Sequence, residues 1–175
     1  MPPARVLLAA LLVVVALAVQ VTLLARLRLP GATPDLLLLV VLSLALAYGP
    51  AFGLGVGFGA GLAADLVPPA DHEVGRWALV LTLVGYLAGA ARGETRRSAF
   101  VPLVVVGAAG ASSVLLFAGL GALMDDPNIT WGAVTDLLPT AVLYDVVLSA
   151  FVVPGVLAVA SRVEPDTEAF AGATR

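Results

Sequence analysis

Two carboxylates interrupt otherwise apolar stretches of this chain: Asp65 closes a glycine-rich run and Asp145 lies deep in the last long run. A charge near the centre of a bilayer costs at least about 2.5 to 3.5 kcal/mol, so each carboxylate requires a partner or a purpose. Gln20, Tyr86 and Tyr144 also sit in such runs, and with Asp65 and Asp145 they define a candidate intramembrane polar set. Chemically, that set suits a proton, an ion or a small ligand. A structural reading competes with it. In that reading Asp65 marks a helix end at the interface, and Asp145 hydrogen-bonds neighbouring helices and fixes the register of an apolar bundle.

Hydrolytic chemistry finds less support. Tyr144-Asp145 is similar to one half of the intramembrane aspartyl protease signature, in which two carboxylates share a proton to activate water. The other half, Gly-x-Gly-Asp on a later helix, is missing; Asp65 comes earlier, behind Gly61-Leu62-Ala63-Ala64. A serine nucleophile would lack its base, because the single histidine, His72, lies in a loop. Asp71, His72 and Glu73 are consecutive there and do not converge on a metal without further ligands. The absence of cysteine removes disulfides, thiolate metal sites and cysteine nucleophiles together. No catalytic, metal or cofactor residue is therefore assigned, and no enzymatic activity is expected. Asn128-Ile129-Thr130 forms a glycosylation sequon of a kind that arises often by chance.

Composition dictates the elements that must hold these residues. The 175 residues are 61% hydrophobic and 12% charged, with a mean hydropathy of +1.06, whereas soluble domains are about one-quarter charged. A water-soluble fold is excluded. A span takes about 20 apolar residues at about 1.5 Å each, so the length allows an all-α bundle of about six transmembrane helices with short connections. The apolar runs fall at about 6–24, 35–48, 51–67, 77–91, 100–123 and 137–160. Residues 1–161 thus read as one membrane domain. Residues 162–175, with Glu164, Asp166 and Glu168, read as a short acidic cytoplasmic tail without order.

Within these runs, local signals set boundaries. Ala16-Leu17-Ala18 resembles a signal-peptidase site, but only Arg5 precedes the run, which continues past the site, so it is kept as a span. Thr33-Pro34-Asp35 reads as a helix start, with a capping hydroxyl, a proline and an acid at the positive helix end. The second span is short, roughly 20 Å, and if it is re-entrant the chain crosses five times. The third span carries Gly53, Gly55, Gly57, Gly59 and Gly61, whose small-xxx-small pairs let another helix approach closely. It is expected to be the most buried helix. Gly53, Gly57 and Gly61, with Gly85 and Gly89 of the fourth span, are the candidate positions for helix packing or partner contact. Pro139 and Pro154 are expected to bend the sixth span.

All nine basic residues are arginine and the net charge is -3, with no basic run able to follow a phosphate backbone, so nucleic acid is not a partner. Placing the amino terminus inside puts Arg5, Arg92, Arg96, Arg97, Arg162 and Arg175 in the cytoplasm and Arg26, Arg28 and Arg76 outside. Six against three supports that orientation, which leaves both termini cytoplasmic. It also sets Trp77 and Trp131 at the outer interface and Tyr48 and Phe100 at the inner one. The Arg92–Arg97 loop is topogenic first and a contact for partners or anionic membrane lipid second.

Pro34-Asp35-Leu36-Leu37-Leu38, then Gly49-Pro50, then Gly57-Phe58-Gly59-Ala60-Gly61-Leu62-Ala63-Ala64-Asp65-Leu66, then Ala78-Leu79 and Leu81-Thr82-Leu83-Val84-Gly85-Tyr86-Leu87-Ala88-Gly89 resemble the MreD family in order and spacing. The resemblance covers about residues 15 to 97. Beyond them the chain is similar only as hydrophobic spans of the right number. It implies a component of the bacterial inner membrane that acts with MreC and, directly or through it, with MreB, RodA and a penicillin-binding transpeptidase. That complex directs lateral peptidoglycan synthesis and cell shape. The family is also similar in fold to the substrate-capturing subunits of energy-coupling-factor transporters, which supplies the alternative of a vitamin-type uptake subunit. Against uptake, the spans offer few polar side chains to line a ligand cavity: Gln20, Ser43, Thr82, Ser112, Ser113, Ser149 and the two aspartates. No small-molecule substrate is expected.

Overall fold

The structure is a computed structural model that describes residues 3–27, 29–68, 73–95 and 101–163. Arg28, the loop pair Asp71-His72, Arg96, Arg97, Phe100 and the acidic stretch from Glu164 onward lie outside the described residues. Among the described residues there are seven α-helices and no strand. They are α1 (Pro3–Thr22), followed by a 3₁₀ turn at Leu24–Arg26, α2 (Leu36–Tyr48), α3 (Pro50–Leu66), α4 (Arg76–Ala90), the single-turn α5 (Arg92–Thr95), α6 (Val101–Leu123) and α7 (Trp131–Val163). Three helices are long and apolar enough to cross a membrane: α1 with its 3₁₀ extension, α6 and α7. The other three apolar helices, α2, α3 and α4, are shorter.

The start of α2 differs from the sequence reading. Its N-cap is Asp35 rather than Thr33, and the Asp35 carboxylate accepts the Leu38 N–H at 2.9 Å. A side-chain oxygen there satisfies one of the amides that every helix start leaves open. At the other end Gly49, with φ +95°, makes the reversal into α3, and Pro50 takes the first helical position, where its missing N–H costs nothing.

Burial also departs from expectation, because α2 and not α3 is the innermost helix. Every residue from Leu37 to Leu46 is buried, as an all-round run of Leu, Val and Ala requires. Helices α1, α3, α4 and α7 surround it. Helix α3 buries one face only: Gly53, Gly57 and Gly61 are covered, whereas Leu54 and Phe58 are exposed.

The covered glycine face of α3 packs antiparallel on α4 at backbone contact. A Cβ added at Gly53 would land on the Gly85 carbonyl oxygen, at Gly57 on that of Leu81, and at Gly61 on the backbone of Trp77 and Ala78. Gly89 meets Pro50 in the same way, with 2.5 Å between its ideal Cβ and the Pro50 Cα. Rising positions on α3 thus meet falling positions on α4.

Contacts at the two extremities show that α2 runs the length of the bundle antiparallel to α1. Its first turn meets Gln20 near the end of α1. Its last residue, Tyr48, lies under the guanidinium of Arg5 at the start of α1, 4.9 Å from ring centroid to Cζ. The Tyr48 hydroxyl also donates to the Ala160 carbonyl of α7 at 3.3 Å. Both ends of the described chain therefore gather at one end of the bundle. Helix α7 begins at Trp131, ahead of the apolar run at 137, because helical backbone continues through the polar Thr135-Asp136. Pro139 and Pro154 both lie inside it.

Candidate functional site: two polar clasps

The first clasp closes the start of α2. Thr140, Tyr144 and Asp145 occupy neighbouring positions on one side of α7, four and five residues apart, so one helix face presents all three. Thr140 Oγ1 accepts the Ala32 N–H at 3.1 Å. The Tyr144 hydroxyl donates to the Pro30 carbonyl at 3.1 Å. Asp145 Oδ1 accepts the Asp35 N–H at 2.7 Å, and from α1 the Gln20 carbonyl oxygen accepts the Leu37 N–H at 2.9 Å. Together with the Asp35 cap, these bonds serve the amides that open α2 and tie the α1–α2 connection to α7. Asp145 is buried, and α6 approaches it at Gly110, whose ideal Cβ would stand 3.0 Å from Oδ2. A side chain at Gly110 would press on that carboxylate.

The second clasp closes the start of α4. Its N-cap, Gly75 (φ +104°), has no side chain with which to cap it. Asp65, buried at the end of α3, does so across the hairpin: Oδ2 accepts the N–H groups of Gly75 at 2.8 Å and Ala78 at 3.1 Å, and Oδ1 accepts that of Trp77 at 3.0 Å. Three backbone N–H groups at a helix N-terminus take the place of water around this side chain.

Arg76 extends this clasp to α6 and to the loop before α7. Sequence reading counted it only among the outer arginines; the structure adds that its side chain is folded into the protein, 3% exposed. Its guanidinium lies 3.8 Å from the Phe117 ring centroid. Nε donates to the Phe117 carbonyl at 2.9 Å and Nη1 to Asp126 Oδ2 at 2.7 Å. The hydrogen bond from Arg76 holds the Asp126 carboxyl below the usual carboxylate range, helped by the Asn128 N–H. The remaining nitrogen, Nη2, is buried against Gly121 without a hydrogen-bond partner among the described residues. Trp77 packs beside it on Phe117, with ring centroids 4.6 Å apart.

The candidate polar set is thereby divided. Gln20, Tyr144 and Asp145 meet at the start of α2, Asp65 serves α4, and Tyr86 is exposed on the outer side of α4. Intrahelical hydroxyls are used locally as well: Ser43 donates to Leu39, Ser113 to Gly110, Ser149 to Val146 and Thr82 to Ala78 carbonyls. Sequence reasoning missed Arg76, Asp126 and Thr140. Gly75 was the available signal, since a helix start without a local capping side chain needs a cap from elsewhere.

These features define a polytopic helical membrane protein in which buried polar side chains close helix ends and bind helices to one another. The sequence matches the family described as rod shape-determining protein MreD over residues 4–160, and the chain belongs to that family. The match runs through α6 and nearly to the end of α7, well past the motifs of residues 15–97. Membership brings a role in rod-shape determination. No curated protein and no solved structure matches the chain.

Proposed function

We propose that this protein is a non-catalytic membrane component of the bacterial cell-elongation complex, which works with MreC, and through it with MreB, RodA and a penicillin-binding transpeptidase, in lateral peptidoglycan synthesis. The observation that carries this reading is the use of the buried polar groups. Asp65, Asp145, Gln20 and the span hydroxyls are committed to helix ends and to their own helices, as a rigid part of an assembly requires and a ligand cavity or a reacting site does not. Family membership supports the same conclusion. The reading includes six crossings of the inner membrane with both termini cytoplasmic, supported by the arginine distribution and by the meeting of Arg5, Tyr48 and Ala160 at one end of the bundle.

Co-purification from native membranes in mild detergent, followed by mass spectrometry, tests it. MreC and wall synthases are expected in the eluate. Recovery of a transmembrane coupling protein with paired ATPases instead would sink the proposal and turn the protein into an uptake subunit.

A further inference from the structure

The clasp at the start of α2 brings two carboxyl groups together with no cation between them. Asp145 Oδ1 accepts the Asp35 N–H at 2.7 Å, which places the two carboxyls within about 7 Å of each other. Neither aspartate forms an ion pair among the described residues. The surrounding helices bring no charge to this level. Helix α6 has no ionisable residue, and α1 and α2 carry theirs, Arg5 and Tyr48, at the opposite end of the bundle. On α7 itself Tyr144 gives its hydroxyl to Pro30, and Asp136 and Arg162 lie nine and 17 residues away. Asp65 of α3 and Arg76 of α4 are engaged in the second clasp, Tyr86 faces outward, Arg92 and Glu94 of α5 follow the far end of α4, and Arg26 of the 3₁₀ turn is exposed.

The second oxygen of Asp145 is the unserved one. Oδ2 faces Gly110 of α6, where an ideal Cβ would stand 3.0 Å away, and it accepts no hydrogen bond among the described residues. Ser113, three residues along α6, donates its hydroxyl to the Gly110 carbonyl instead. Asp145 is 3% exposed, so an ionised Oδ2 would be a charge shut away from water, without a donor and close to a second carboxyl, an arrangement that low-dielectric surroundings penalise. A neutral acid avoids that penalty: Oδ1 remains the acceptor for Asp35, and Oδ2 carries the hydrogen. A proton has a way in, since Pro30, Gly31 and Thr33 of the α1–α2 connection are exposed and Asp35 is half-buried.

We infer that the Asp35–Asp145 pair is a proton-binding site: one proton is held on Asp145 Oδ2 while the α1–α2 connection is docked, and its loss frees that connection from α7. The inference concerns the chain by itself and is independent of the partners proposed above. Infrared spectroscopy of the full chain in nanodiscs reads the proton directly, through the carbonyl stretch of a neutral carboxylic acid. Such a band is expected at neutral pH, reduced by one acid per chain in Asp145→Asn and unchanged in Asp136→Asn, which alters an exposed residue. Gly110→Ala sets a methyl against Oδ2 and should shift the band's frequency, which assigns it even where the asparagine variant does not fold. Raising the pH should lower the melting temperature of the native chain, because its folded state holds a proton that the unfolded state has given up. Asp145→Asn keeps the acceptor oxygen, resembles the neutral acid and should not follow that decline. A native spectrum without the band overturns the inference, as does a band that neither Asp145→Asn nor Gly110→Ala alters. So does the same pH dependence of melting in the native chain and in Asp145→Asn.

Discussion

Asp65 shows how much a single side chain can be asked to do in an apolar bundle. Its two oxygens hold three backbone N–H groups at a helix start that has no capping residue of its own. Truncation to alanine leaves those amides buried and unserved, and the loss expected is about 3 kcal/mol. Thermal unfolding in nanodiscs should show Asp65→Ala well below the native chain, Asp65→Asn between the two, and Tyr86→Phe, exposed on the same helix pair, unchanged. Equal melting of Asp65→Ala and the native chain would remove the capping role. The existence of two special aspartates was legible in the sequence, since a carboxylate in an apolar run must find a partner. Their partners were not. The amides they serve lie 10 to 13 residues away for Asp65 and 110 for Asp145, and a backbone N–H carries no mark in the sequence. The burial of Arg76 was hidden for a similar reason, because its acceptors include a main-chain carbonyl of α6.

The helices illustrate what periodicity does and does not reveal. Boundaries of α2, α3, α4 and α6 fall within a residue of the apolar runs, because Asp35, Gly49-Pro50 and the loop charges punctuate the chain clearly. Which helix is innermost was less legible. Five alternating glycines put small residues on two faces of α3, and only the packing reveals that one face meets α4 while the other stays open. That difference gives a sharp comparison. Gly57→Leu drives a side chain into the Leu81 carbonyl and should cost at least about 1 to 3 kcal/mol by forcing α3 and α4 apart. Gly55→Ala meets nothing and should be neutral or stabilising by up to about 1 kcal/mol, through helix propensity. Denaturant titration of both variants in the same micelle measures the contrast, and similar losses for the two would contradict the close α3–α4 contact.

At the scale of the whole molecule, α2 is enclosed by its neighbours and the described chain begins and ends at the same extremity. Single cysteines introduced near Arg5 and Arg162 should therefore react alike with an impermeant maleimide, silent in intact cells and labelled after permeabilisation. One near Asp126 should show the reverse; labelling of the Asp126 position only after permeabilisation would invert the proposed topology. The enclosure of α2 also orders events in time. Its first turn is completed by Asp145, 110 residues further along the chain, and its last residue docks on Ala160, 112 residues further. At cellular translation rates the ribosome takes on the order of ten seconds to supply them. For that interval the most apolar helix has an unfinished start, and only arrival of the last helix completes it. A ribosome that stops short of α7 would thus release a chain whose central helix advertises its own incompleteness to the quality-control proteases of the membrane.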